Sequence, residues 1–207
     1  MNNFNDKQIQ ILEIAEKLFA EHGFDGTSVR DIAKNADINV AMISYYFGSK
    51  EKLFESLILY RAGDLRIQLE NLSKEETTPV EKLNKILDLY ITKIHSNKYI
   101  YRILHFELSS KKGQRKFDSF TEVKKANLIT LQNIIEDGQL KGVFRKNINV
   151  ALIPSTIFGT YIHFQMNRPF FEEVLELKTE NDFYDYVNTE LTAHIKQLIK
   201  GLLLYEN

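Results

Sequence analysis

Apolar residues recur along most of the chain at spacings of three and four, the period of helices buried on one face. Ile9, Leu12, Ala15, Leu18 and Phe19 form the first such stripe. It predicts a helix from Asp6 to His22, stopped by Gly23, with Phe24 and Val29 completing a small three-helix core. A longer stripe runs through Leu53, Phe54, Leu57, Ile58, Arg61, Leu65, Leu69 and Leu72, so Lys50 to about Leu72 reads as one helix. At ~1.5 Å per residue it spans roughly 34 Å, long enough to join two domains. Ser73 to Thr78 is a polar linker, and Pro79 suits the start of the next helix. Beyond it Val80, Leu83, Ile86, Leu87, Tyr90, Ile91 and Ile94 form one stripe, Ile100, Ile103, Leu104 and Leu108 a shorter one, and Phe120, Val123, Leu128, Leu131, Ile134 and Ile135 a third. Asp137 to Phe144 reads as a helix end and turn with Gly138 and Gly142, after which Asn147 or Asn149 can cap the next helix. The last apolar stretches are Ile153 to Met166 and Phe183 to Leu204. Arg168 to Asn181 between them can hold a short helix, with Phe170 and Phe171 covering either a bundle or a pocket.

The stretch from Thr27 to Lys52 breaks this regular pattern into short pieces. Thr27 or Ser28 can cap a helix that contains Val29, Ile32, Ala33 and Ala36, and Ser28 with Asp31 approximates a capping box. Asp37 and Asn39 break that helix, and Asn39 can cap the next, from about Val40 to Phe47, which Gly48 ends. So short a helix is stable only if its neighbours hold it. Ile43 and Phe47 face one way with Ile38, leaving Ala41, Met42, Ser44, Tyr45 and Tyr46 spread over the rest. That second group suits a nucleic-acid groove. Ala41 lets a backbone approach closely, Ser44 can bond a base or phosphate, and tyrosine hydroxyls can reach phosphate oxygens. Lys50, at the start of the long helix, adds an ammonium beside free backbone N–H groups.

From Ile9 to about Leu57 the chain resembles the N-terminal domain of the TetR family of bacterial transcriptional repressors. The residues that carry the resemblance are Ala15, Leu18, Phe19, Ala20, Glu21, Gly23, Phe24, Gly26, Thr27, Ser28, Val29, Asp31, Ile32 and Ala33. They are followed by Ile43, Tyr45, Tyr46, Phe47, Gly48, Ser49, Lys50, Glu51, Leu53 and Phe54. The match covers roughly the first quarter of the chain. It implies that the tyrosines and the lysine contact the DNA backbone, and that the protein is a dimer. Two positions depart from the common pattern: Val40 stands where many relatives carry lysine, and Ala41 where many carry glycine. The base-reading set is therefore this protein's own.

Composition changes the picture little. The 207 residues are 43% hydrophobic, enough for a sizeable core, and no cysteine is present, so disulfides and thiolate metal sites are excluded. The five histidines form no close pair, and His95, His105 and His163 read as core histidines beside apolar stripes. No signal peptide or membrane span is read, so the expected compartment is the cytoplasm. A net charge of −1, with six Lys/Arg against nine Asp/Glu in the first 60 residues, is unusual for a DNA-binding protein. Arg30, Lys34, Lys50 and Lys52 nevertheless lie close to the short second helix of the motif, and so few basic groups predict a modest salt dependence. The basic run Lys111 to Lys116 reads as a solvated connector.

The expected fold is all-α. A three-helix helix-turn-helix domain occupies residues 1–49, and the helix at 50–72 connects it to a helical effector-binding and dimerisation domain within 50–207. The candidates for base readout are Arg30, Ala41, Met42 and Ser44; those for phosphate positioning are Thr27, Asn39, Tyr45, Tyr46 and Lys50. Phe106, Phe120, Tyr161, His163 and Phe164, together with Phe117, are candidates to line an effector cavity between helices. The two C-terminal apolar helices suit a four-helix bundle with their copies from a second chain. No nucleophile-base pairing, phosphate loop or metal spacing is present, so no catalytic residue, metal or cofactor is expected. The function expected is a homodimeric DNA-binding regulator, a repressor of an inverted-repeat operator released by a small-molecule effector. The alternative is a helical protein-binding adaptor.

Overall fold

A computed structural model describes residues 4–97, 99–101, 103–104 and 118–205, and among these every regular element is helical. In chain order they are α1 (Asp6–Gly26), α2 (Val29–Asn35), α3 (Val40–Phe47), α4 (Lys50–Ser73), α5 (Pro79–Ser96), α6 (Asp118–Leu140), α7 (Leu152–Met166), α8 (Arg168–Val174), α9 (Glu180–Tyr186) and α10 (Thr192–Leu203). Residues 99–101 and 103–104 are also helical. The chain packs as two compact units, Met1–Ile67 with Asn97–Ala126, and Gln68–Ser96 with Asn127–Asn207. The first unit thus extends past residue 49 into α4. Its core needs Leu53, Phe54, Leu57 and Ile58, and takes in Ile100, Ile103 and Leu104 as well.

In the first unit the apolar stripe of α1 buries Ile11, Leu12, Ala15 and Phe19 against Ile32, Ala33, Ala36, Ile43 and Phe47. Asn5 caps α1 through a capping box with Gln8, satisfying two backbone N–H groups that the first turn leaves unpaired. Gly23 breaks the helix as its position predicts, with φ 72°, a left-handed conformation that a side chain disfavours. The break folds Phe24 back against Phe19 and Phe54, with ring centroids 5.4 Å and 5.1 Å away, and one further turn runs on to Gly26. A Glu16–Arg61 ion pair fastens α1 to α4 beside this core.

In the second unit α5, α7 and α10 pack together. Leu83, Ile86, Leu87, Tyr90 and Ile94 of α5 are buried, as are Ile153, Ile157, Tyr161 and Phe164 of α7 and Ile195, Ile199 and Leu203 of α10. Tyr90 meets Phe158 edge to face at 5.8 Å, and Lys196 pairs with Asp88. Burial raises the Tyr90 hydroxyl to about 12, so it stays protonated over the working pH range. Thr78 and Glu81 exchange hydrogen bonds at the start of α5, where the Thr78 backbone N–H and hydroxyl also hold the Glu81 carboxyl below its usual range.

Asp137 to Phe144 holds the helix end and turn expected of it: α6 ends at Leu140, and Gly142 takes a left-handed conformation with φ 70°. Two local expectations are corrected. Neither Asn147 nor Asn149 caps α7 through its side chain: Asn147 takes a left-handed turn with φ 63°, and Asn149 contributes only its carbonyl to Leu152 N–H, 3.1 Å away. The last apolar stretch is not one α-helix from Phe183. It starts at Glu180, capped by Thr179 with Asp182, and passes through a π-helical turn at Val187–Leu191 before α10. The Thr192 hydroxyl bonds the Val187 carbonyl at 2.9 Å, which is the wider turn's spacing.

Candidate nucleic-acid interface

Three caps set the geometry of α2 and α3. Ser28 begins α2: its hydroxyl accepts from Asp31 N–H at 3.1 Å and donates to the Asp31 carboxylate at 2.6 Å, while the Ser28 N–H reaches the same carboxylate. Those bonds hold the Asp31 carboxyl below its usual range. Asp37 takes a left-handed turn with φ 50°, and Ile38 N–H returns to Ala33 O at 3.0 Å, so the chain reverses within four residues. Asn39 Oδ1 then accepts from Ala41 N–H at 2.9 Å and starts α3, which Gly48 closes with φ 81°. This is a helix-turn-helix fixed by side-chain caps.

The two faces of α3 separate sharply. Ile43 is 1% and Phe47 7% exposed, whereas Tyr45 is 81% exposed; Ala41 and Ser44 are exposed with it, and Met42 is half-buried. An aromatic ring that could have been buried stands instead in solvent on a helix eight residues long. Tyr46 is half-buried, packing on the core and touching both neighbouring rings. Arg30 and Asn39 are exposed on the approaches to this face.

Thr27 lies differently from its expected place at a phosphate. It is 1% exposed, and its hydroxyl lies 3.1 Å from Leu18 O and 2.9 Å from Gly23 O, on either side of the last regular turn before the break in α1. The side chain is a brace between α1 and α2. Lys50 is half-buried: its ammonium donates to Thr27 O at 2.7 Å and sits 4.2 Å from the centre of the Phe24 ring. It is thereby held at the junction of α1, α2 and α4, with donors to spare, since an ammonium carries three.

The described members of the expected effector set fall in both units, and each unit places its own separately. Phe106 and Phe117 lie outside the described residues, as do His105 and the Lys111 to Lys116 run. Phe120 belongs to the first unit, packed against its core. Tyr161 is buried in the second unit, its hydroxyl 3.3 Å from His95 Nδ1 and bonded by Gln165, and burial raises it to about 12. His163, read as a core histidine, is exposed. Phe164 is buried among Phe171, Phe183 and Tyr186. His163 and Phe164 do share a cleft, walled also by Gly159 and Thr160 of α7, by α8 and Leu175 after it, by Tyr186 of α9, by the π-helical turn and by α10. Among the described residues no helix is long and apolar enough to cross a membrane, and no group of three or more His, Cys, Asp or Glu is placed to hold a metal ion.

An all-helical chain that spends three caps on presenting one short, partly aromatic helix is a helix-turn-helix protein. Residues 11–57 match the family model described as bacterial regulatory proteins, tetR family, and residues 79–198 match the tetracyclin repressor-like C-terminal domain. The chain belongs to the TetR family of bacterial transcriptional regulators, and is a regulator rather than an enzyme. It is 27% identical over 160 residues to the fatty acid metabolism regulator protein of Bacillus subtilis, covering 77% of this chain and 82% of that protein. It is 32% identical over 151 residues to the HTH-type transcriptional repressor NicS of Pseudomonas putida, 68% of this chain and 67% of that one. The solved structure of the regulator FadR from Bacillus subtilis in complex with stearoyl-CoA shares the fold, with a TM-score of 0.69 at 22% identity over 92% of this chain and 96% of that one.

Proposed function

We propose that the chain is a homodimeric repressor that grips an inverted-repeat operator through α3 and lets go when a small-molecule effector binds the C-terminal helices. The functional division is the one expected from sequence, with the DNA-binding domain in residues 1–49, helped by Lys50 at the start of α4, then α4 as connector, and effector binding and self-association in the remainder. The observation that carries the DNA contact is the 81% exposure of Tyr45 on a helix whose other face is buried. Ala41, Met42, Ser44 and Arg30 are assigned to base edges, and Asn39, Tyr45, Tyr46 and Lys50 to phosphates. Thr27 acts through its brace, setting the angle between α1 and α2. Release is a population shift: an effector that prefers a conformation with the two reading helices out of register with successive grooves weakens operator binding by its differential affinity.

The test is fluorescence anisotropy with DNA from upstream of the chain's own gene beside a scrambled control. Tyr45→Phe with Lys50→Ala is expected to weaken operator binding at least about tenfold, two charge-assisted or neutral phosphate contacts being lost. An unchanged affinity would remove α3 from the interface. Stearoyl-CoA, the ligand in the Bacillus subtilis complex, is the first effector to add.

Self-association is supported by apolar surface on α7, on α10 and just past its end. Leu152, Met166, Leu198, Leu202 and Tyr205 are 57%, 45%, 42%, 42% and 54% exposed. Gly159 and Gly201 stand on the same two helices with open space where a Cβ would be, so nothing among the described residues requires glycine there. A helical glycine costs about 1 kcal/mol relative to alanine, and close approach of a partner helix is what would offset it. Leu198→Glu with Leu202→Glu is expected to convert the dimer to monomer in sedimentation while leaving the helical circular dichroism intact; a dimer that survives both charges would place the interface elsewhere.

A further inference from the structure

The face that α3 turns to solvent divides along its length. Val40 and Ala41 at its start are exposed, Val40 to 37%, while Met42 is half-buried. Ser44 and Tyr45 follow one turn on, since residues four apart share a face of a helix. The first end thus presents methyl groups, and the second presents hydroxyls. Among the side chains of Val40, Ala41 and Met42 the one polar atom is a thioether sulfur, a weak acceptor. The side chain before them is turned back on the helix, Asn39 Oδ1 accepting from Ala41 N–H at 2.9 Å. Val40 is not needed for packing. Ile43 and Phe47 hold α3 on the core of the first unit, and Val40 is no part of that core. A β-branched residue is also a poorer helix former than alanine, so an exposed valine here asks for another explanation.

Docking of a helix-turn-helix supplies one. The second helix enters the major groove with its N-terminal residues against the base edges. Every base edge in that groove offers hydrogen-bonding groups, and thymine alone adds a methyl, at C5. Side chains that can make only apolar contact match that methyl. Placed against the edge of a G·C pair, the same side chains would displace water from donors and acceptors without replacing its hydrogen bonds. Weak electrostatics makes the contact count for more. With six Lys/Arg against nine Asp/Glu in the first 60 residues, few phosphate contacts are on offer, and base contacts carry a larger share of the binding.

We propose that Val40 is a specificity-determining residue that reads thymine, its methyls seated on the C5 methyl of one thymine in each half-site with Ala41 beside it. This rests on α3 being the DNA-reading helix and adds the base that its first turn reads. Thymine and uracil differ by that methyl alone. The probe is the duplex that the full chain selects from a random library, prepared with thymine or with uracil throughout, beside scrambled DNA prepared both ways. Anisotropy is expected to show the uracil duplex bound about tenfold more weakly, one buried methyl being lost in each half-site. Binding to scrambled DNA should not change. Val40→Ala, at an exposed position where alanine is the better helix former, is expected to keep its helical circular dichroism. It should bring the two duplexes to within about threefold, alanine keeping one methyl set farther back. Val40→Lys exchanges the methyls for an ammonium that seeks phosphate. It should lose the preference and steepen the slope of log K against log salt by about 1.8, two phosphates per dimer. Equal binding of the thymine and uracil duplexes, with scrambled DNA still weaker, would overturn the proposal and leave α3 as the reading helix. A thymine preference kept in full by both Val40 variants would overturn it as well. If no sequence is enriched from the library, α3 is not a reading helix and both conclusions fall.

Discussion

Gly138→Ala is expected to destabilise the second unit by about 3 kcal/mol, at the upper end of ordinary overpacking costs, although alanine is the better helix former by about 1 kcal/mol. The reason is steric. A Cβ on Gly138 would sit 2.0 Å from Cδ2 and 2.3 Å from Cε2 of Phe144, distances no packed pair sustains. Phe144 cannot step aside easily. It is fully buried, its N–H reaches Gly138 O at 3.1 Å, and it pairs with Leu204 in an antiparallel bridge, while Arg145 N–H bonds Leu203 O at 2.7 Å. The turn after α6 is therefore sewn to the end of α10 with the Phe144 ring flat against bare backbone. Urea denaturation of Gly138→Ala, Phe144→Leu and the pair gives the check: the double change should cost less than the sum of the single ones, because the smaller ring makes room for the methyl. A neutral or stabilising Gly138→Ala would mean that the ring is not packed where the structure has it.

That contact shows where sequence reasoning stops. From the chain alone Gly138 reads only as part of the helix end and turn from Asp137 to Phe144, because glycine is a local signal for such an end. Its actual role is set by a ring six residues on, and by the strand-like pairing that fixes that ring. Local chemistry was legible where the deciding partners are near in sequence. Ser28 with Asp31, Asn39 with Ala41, Gly23 and Gly48 all act within four residues, so the helix-turn-helix and the exposed face of α3 can be read from spacing. Thr27 is the exception within the motif. The same residue type suits a cap or a phosphate contact, and only the break at Gly23 reveals that Leu18 and Gly23 carbonyls claim the hydroxyl.

The effector candidates were less legible for a physical reason. Periodicity tells which residues share a face of a helix, not what lies opposite. Tyr161, His163 and Phe164 are neighbours in sequence but point to a histidine of α5, to solvent and to an aromatic cluster. Of the other residues that wall the cleft beside Phe164, Phe171 carried a signal, as one of two adjacent aromatic residues in a short polar segment. Glu190 carried none, because the π-helical turn that places it has no distinctive sequence. The buried ion pair, by contrast, left a mark that went unused: Arg61 interrupts the apolar stripe of α4, and Glu16 sits four residues after Leu12 on the buried side of α1. A charge on an apolar stripe asks for an opposite charge nearby.

Arg61→Ala is expected to cost the first unit about 3–5 kcal/mol, the range for removing one partner of a buried pair. Glu16→Ala should cost less, about 1–2 kcal/mol, close to the loss of hydrogen bonds to a charged group. The asymmetry comes from burial. The side chain of Glu16 is 6% exposed and that of Arg61 24%. Both Arg61 Nε, at 3.0 Å, and Nη2, at 2.6 Å, donate to the same oxygen, Glu16 Oε2. Without the guanidinium the carboxylate is left in an apolar setting with its strongest donors gone. Without the carboxylate the guanidinium can extend toward water, keeping its stem packed and its contact with the Tyr60 ring, 5.0 Å away. Arg61→Lys should fall between the two, since an ammonium keeps the charge but loses the paired donors. Urea denaturation of the three variants, with amide exchange tracked in α1, separates these cases. Equal costs for Arg61→Ala and Glu16→Ala would mean that water reaches the carboxylate. The ion pair between α1 and α4 would then be an ordinary surface pair, and the apolar core, with the rings of Phe19, Phe24 and Phe54 at its centre, would hold the unit that carries α3 together without it.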